Sequence, residues 1–102
     1  MIRILIVEDD ENISKMLAAT LSIGDYEYDR CADGEEAVQT IINGTYDLIL
    51  LDVMLPGMDG FAVLEHIRGE SCETPVIFLT ALGAVADKVK GLRGGAEAVS
   101  YT

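Results

Sequence analysis

Positive charge is scarce in this chain: Lys and Arg number 7 against 18 Asp and Glu, and the net charge is -11. Such a surface repels phosphate backbones, so direct nucleic-acid contact by this chain is not expected. Cysteine is equally scarce. Cys31 and Cys72 show neither metal-ligand spacing nor a CxxC pair, which leaves packing or surface thiols in a reducing compartment. No run approaches ~18 apolar residues, and no charged-then-apolar leader precedes a small-residue cleavage site. Met1-Ile2-Arg3 enters directly into an apolar stretch. The expectation is a cytoplasmic chain without membrane contact. Trp is absent, aromatics are few, and neither repeats nor low-complexity stretches occur.

What is present suits a single domain. The 102 residues are too few for two, and half of them are hydrophobic. A chain this size buries roughly 60–70% of its unfolded surface, which gives a real but modest core.

The apolar residues fall in short runs separated by helical patterns. Residues 2–7 read as a near-continuous apolar strand. Asp10 or Glu11 then caps a helix over 12–22, with Ile13, Met16, Leu17 and Thr20-Leu21 at helical spacing. Residues 26–32 form a weaker, half-buried edge strand carrying Tyr26, Tyr28 and Cys31 on alternating positions. Asp33-Gly34 reads as a turn. A helix over 35–42 buries Ala37, Val38, Ile41 and Ile42 and ends at Asn43-Gly44. The central strand is 46–51. Phe61, Val63, Leu64 and Ile67 mark a third helix, and 76–79 a further buried strand. A fourth helix is expected over 84–92, and a fifth strand begins at 98. Strictly alternating strands and helices with short connections predict an α/β fold, a doubly wound parallel five-stranded sheet. No fifth helix follows to cover the last strand, so the domain, 1–102, reads as incomplete at its C-terminal end.

Asp52 is the residue that packing does not require. It closes the run Leu48-Ile49-Leu50-Leu51 and precedes Val53-Met54-Leu55-Pro56-Gly57-Met58-Asp59-Gly60. The C-terminal end of a buried strand is where open α/β sheets place their ligands. Glu8-Asp9-Asp10 ends the first strand in the same way. Crowded carboxylates repel and raise one another's pKa, but a divalent cation makes the crowding tolerable. A strand-end Asp can also attack a phosphoryl group, and Thr80, closing the fourth strand, could hydrogen-bond a phosphoryl oxygen. Asp10 and Asp59 read as helix caps. His66 reads as a boundary side chain. Lys88, Lys90 and Arg93 make a small basic cluster on the fourth helix, read as a solvated face.

Three blocks together carry a resemblance: Ile4-Leu5-Ile6-Val7-Glu8-Asp9-Asp10, then Asp47 through Gly60, then Pro75-Val76-Ile77-Phe78-Leu79-Thr80-Ala81. In order and spacing they resemble the receiver domain of two-component response regulators, over residues 2 to about 97. The resemblance implies a flavodoxin-like receiver fold. It implies that Asp52 is the phospho-acceptor, taking a phosphoryl group from the phosphohistidine of a sensor histidine kinase. Glu8 and Asp9 match the acidic pair that holds Mg²⁺, Asp9 directly and Glu8 through water. Met54 stands where the family uses a backbone carbonyl, so the implied Mg²⁺ set is Glu8, Asp9, Asp52 and Met54. Thr80 matches the switch hydroxyl and Ala81 its small neighbour, while Pro56 and Gly57 shape the adjoining loop. Such a domain is not an enzyme acting on a separate substrate, though it can catalyse its own phosphorylation and dephosphorylation. Homodimerisation through the fourth-helix face is a further implication. A DNA-binding effector would follow in a longer parent chain, because the blocks look like those of transcriptional regulators.

Two positions depart from that pattern. Thr102 stands where the family has a Lys, and Val99 where it has a switch aromatic. Slower phosphorylation, or weaker coupling to the output face, is the expected consequence. The alternative is a degenerate receiver or truncated fragment serving only as a protein-interaction module. Other strand-end chemistries fit less well. A haloacid-dehalogenase-type phosphatase wants a second Asp at the position of Met54. A flavodoxin-like cofactor binder wants a Gly/Ser/Thr-rich loop where Glu8-Asp9-Asp10 stand.

Overall fold

The computed structural model describes residues 1–79 in full and the backbone of Thr80 and 96–100. Three apolar runs and two more polar segments become five strands: β1 (Arg3–Val7), β2 (Glu27–Cys31), β3 (Leu48–Asp52), β4 (Val76–Thr80) and β5 (Ala96–Ser100). They form one parallel sheet in the order β2-β1-β3-β4-β5. Three helices are described: α1 (Glu11–Ile23), α2 (Gly34–Asn43) and α3 (Gly60–Gly69). The chain leaves β1 toward β2, then returns to place β3 on the other side of β1. The crevice between the C-terminal ends of β1 and β3 is therefore the topological switch point.

Each helix begins on an Asp. The Asp10 carboxylate accepts from Asn12 N and Ile13 N at 2.9 and 3.2 Å. Asp33 accepts from Glu36 N at 2.8 Å, and Asp59 from Ala62 N at 2.9 Å. Each cap stabilises its helix by about 1 kcal/mol and, being anionic, complements the helix dipole. Asp33-Gly34, read as a turn, is thus the cap and first residue of α2.

One face of the sheet is sealed. Leu5, Val7, Ile49, Leu51, Val76 and Phe78 are almost wholly buried against Ala37, Val38 and Ile41 of α2 and Val63, Leu64 and Ile67 of α3. Phe61 adds a tilted ring contact to Phe78 at 5.1 Å. Burying each large apolar side chain contributes roughly 1.5–3 kcal/mol. On the other face α1 packs on β1 and β2, while Leu50 and Ile77 stay half-buried.

Several expectations shift. Ile42 is 40% exposed, because the stripe facing the sheet runs through Gly34, Ala37, Val38 and Ile41. On α1 the buried residues are Ser14 and Ala18, and Met16 and Thr20 face outward. In the edge strand Cys31 is buried, whereas Tyr28 and the preceding Tyr26, of opposite parity, are exposed. The fifth strand starts at Ala96 rather than at 98. Tyr46, expected in the central strand, precedes it and donates its hydroxyl to Asp29 at 2.7 Å. The expected fourth helix over 84–92, its basic cluster and the dimer face assigned to it lie outside the described residues. No helix among the described residues is long and apolar enough to cross a membrane.

Candidate carboxylate metal centre

Strand register decides which carboxylates meet. Val7 lies opposite Leu51, so the next residues of both strands, Glu8 and Asp52, fall side by side at the switch point. Asp52 is also paired with Leu79 on β4. Carboxylate oxygens of Glu8, Asp9 and Asp52 lie within 4.8 Å of one another. Glu8 and Asp52 are buried, at 3% and 5% exposure, and Asp9 is exposed. The centre has a closed floor and an open mouth.

Local hydrogen bonds hold the two buried groups. Glu8 N–H donates to Cys31 O at 3.0 Å, extending the ladder past β1. The Glu8 Oε2 accepts Asp10 N–H at 3.1 Å. Its Oε1 is buried and has no hydrogen-bond partner. Asp52 Oδ1 accepts Met54 N–H at 3.2 Å, which fixes the carboxylate against the loop that follows it. Gly60 closes that loop, donating its N–H to Val53 O at 2.9 Å. A Cβ at Gly60 would collide with the Asp52 carbonyl oxygen. Gly57, at φ 76°, makes the turn that an L side chain strains.

Burial, with the neighbouring Asp52 carboxyl adding to it, pushes the Glu8 carboxyl up to about 8. Burial also raises Asp52, opposed by the hydrogen bonds from Glu8 and from Met54 N–H. Two buried carboxyls this close disfavour joint ionisation. A cluster of hard oxygen donors, one of them buried and unpartnered, fits a divalent cation held by carboxylates.

The other expected site residues are placed less fully. Met54 follows the acceptor strand with its side chain 70% exposed, so any role falls to its backbone. Thr80 ends β4 one residue beyond Leu79, the partner of Asp52. The Val99 backbone pairs with Leu79. Ala81 and Thr102 lie outside the described residues.

Sequence reasoning passed over the neighbours of the centre. A groove of about 520 Å³ runs from Glu8 along α1 and β2, lined among others by Glu11, Ser14, Tyr28 and Arg30. Arg30 crosses it, 3.0 Å from Glu11 Oε1 and 3.5 Å from Ser14 Oγ. Ser14 is buried although it lies in a polar stretch of α1.

A family model described as the response regulator receiver domain matches residues 4–99. The transcriptional regulatory protein TcrA of Mycobacterium tuberculosis is 47% identical over 96 residues, covering 94% of this chain and 38% of that protein. The chain thus spans well under half the length of this curated relative. Among solved structures, the response regulator TrrA of Thermotoga maritima in complex with Mg²⁺-BeF superposes with a TM-score of 0.89 at 35% identity. That match covers 100% of this chain and 88% of TrrA. The complex of TrrA with the histidine kinase ThkA matches with a TM-score of 0.86 at 34% identity, covering 100% and 87% of the respective chains.

Proposed function

The chain belongs to the response regulator receiver domain family, and from that premise we propose that its carboxylate centre binds Mg²⁺ and that Asp52 accepts a phosphoryl group from a sensor histidine kinase in the cytoplasm. The observation that carries the reading is the meeting of Glu8, Asp9 and Asp52 within 4.8 Å around a buried, unpartnered Glu8 oxygen. TrrA, similar in fold and sequence, has been solved with Mg²⁺-BeF and with its kinase ThkA.

In this reading a carboxylate oxygen of Asp52 attacks the phosphorus of a phosphohistidine. The new P–O bond forms as the P–N bond breaks, and the imidazole nitrogen keeps that electron pair and takes a proton from solvent. The product is an acyl phosphate. Met54 N–H holds the Asp52 carboxylate in one orientation before the attack. The carboxylates of Glu8, Asp9 and Asp52 and the backbone carbonyl of Met54 would hold Mg²⁺. When bound, the cation offsets the negative charge that gathers on the carboxylates and phosphoryl oxygens. The Thr80 hydroxyl would donate a hydrogen bond to the phosphoryl group and carry its arrival to a partner surface. The domain acts as a signalling module without turnover on a separate substrate, apart from its own phosphorylation and dephosphorylation. Control of transcription by a longer protein containing it extends the same reading.

Borohydride reduction tests the assignment, because it converts an aspartyl phosphate to homoserine. After incubation with a small acyl-phosphate donor and MgCl₂, homoserine should appear at position 52 by peptide mapping. Homoserine at another position would contradict it. Thr102, in place of the family Lys, favours a second reading as an interaction module, which homoserine at no position would select.

A further inference from the structure

Gly34, the first residue of α2, is buried, and the Met58 carbonyl sits where its side chain would begin. A Cβ there would lie 1.9 Å from Met58 O and 2.8 Å from its carbonyl carbon. The φ of Gly34 is outside the left-handed region. What glycine supplies is therefore close approach of two backbones, not an unusual turn.

This contact lies between the two segments that bear the carboxylates. The strand-to-helix connection 31–34 accepts Glu8 N–H at Cys31 O, 3.0 Å away, on one side. On the other side, at Gly34, it receives the far end of the loop that begins at Asp52. The connection cannot retreat freely, because Asp33 caps α2 and its carbonyl accepts Ala37 N–H at 3.1 Å. The loop is equally constrained: Asp52 holds Met54 N–H at its start, and Leu55 and Met58 pack against the core.

We propose that Gly34 is a positioning residue of the carboxylate centre, its missing side chain setting the distance between the acceptor loop and the Glu8-Asp9 segment. The inference rests on the reading of that centre as a Mg²⁺ site. Any side chain at position 34 drives the Met58 carbonyl outward by about 1 Å or more, a displacement that in a preorganised site changes function by on the order of 10²-fold.

The test is Mg²⁺ titration by calorimetry on the wild type, Gly34→Ala and Gly69→Ala. Gly69, in the last turn of α3, has nothing within 4 Å of a built Cβ, so it controls for the substitution itself. Gly34→Ala should weaken Mg²⁺ binding, and slow phosphorylation by a small acyl-phosphate donor, by about tenfold or more, in protein whose circular dichroism is native. Gly69→Ala should match the wild type. A Gly34→Ala protein that melts at a lower temperature yet binds Mg²⁺ as the wild type does would overturn the positioning role alone. A wild type that binds no Mg²⁺ would overturn the proposed centre and this inference with it. If Gly34→Ala does not fold, the same comparison is made in a background carrying Asp25→Gly and Ser71→Gly. Those residues hold left-handed φ of 62° and 64° at the opposite end of the sheet, where glycine relieves strain.

Discussion

Replacing Glu8 by Gln should stabilise the metal-free protein at pH 8 and change little at pH 4.5. Glu8 is 3% exposed with one carboxyl oxygen unpartnered, and burial lifts its pKa from 4.5 to about 8. The folded state therefore holds a proton that the unfolded chain releases. The stabilisation this provides is complete below pH 4.5 and is lost as pH rises toward 8. Each pH unit across that window removes up to ~1.4 kcal/mol. Glu8 and Asp52 titrate as a pair, so the net loss is set closer to the cost of an unsatisfied buried polar group, roughly 1–3 kcal/mol. The amide keeps the shape of the carboxyl, cannot ionise, and offers Asp52 an N–H. In a domain of this size ~1 kcal/mol moves the melting temperature by roughly 4–8 °C. Thermal melts by circular dichroism in EDTA, from pH 4.5 to 8.5, should show Glu8→Gln and wild-type curves that diverge by roughly 4–24 °C only at the alkaline end. An equal offset at every pH, or a less stable variant at pH 8, would refute the raised Glu8 carboxyl.

Two further perturbations read other parts of the account. Asp9→Asn removes repulsion at the mouth of the centre, so it should raise the melting temperature without Mg²⁺ by a few degrees and abolish Mg²⁺ binding by calorimetry; unchanged affinity would contradict Asp9 as a ligand. Tyr46, pushed up to about 12 by burial and by its bond to Asp29, should give a tyrosinate absorbance step near that pH, absent in Tyr46→Phe. That variant should also lose about 1 kcal/mol, because Asp29 keeps its Arg3 partner at 3.0 Å.

The main lines of this fold were legible because β1, β3 and β4 are apolar runs and the described helices start on Asp. The runs ending in Glu8 and Asp52 located the carboxylate centre from sequence alone, since parallel strands end at one rim. The errors have physical causes. Ile42 is apolar but sits one residue past the stripe that faces the sheet. Tyr26 and Tyr28 were grouped with Cys31 although a strand sends opposite parities to opposite faces. Ala96 and Glu97 are weak strand formers, recruited by pairing with Val76 and Ile77. The closeness of the Glu8 and Asp52 carboxyls, the bond from Tyr46 to Asp29, and the seating of Met58 on Gly34 depend on distances between segments. Composition and spacing carry no such distances.

The most direct test of the account is the intact mass of the protein after incubation with a small acyl-phosphate donor, with and without Mg²⁺, beside Asp52→Asn. The account predicts a gain of one phosphoryl group that requires Mg²⁺ and is lost in the variant. A folded wild type that gains nothing, or an Asp52→Asn protein that gains the same mass, would contradict it.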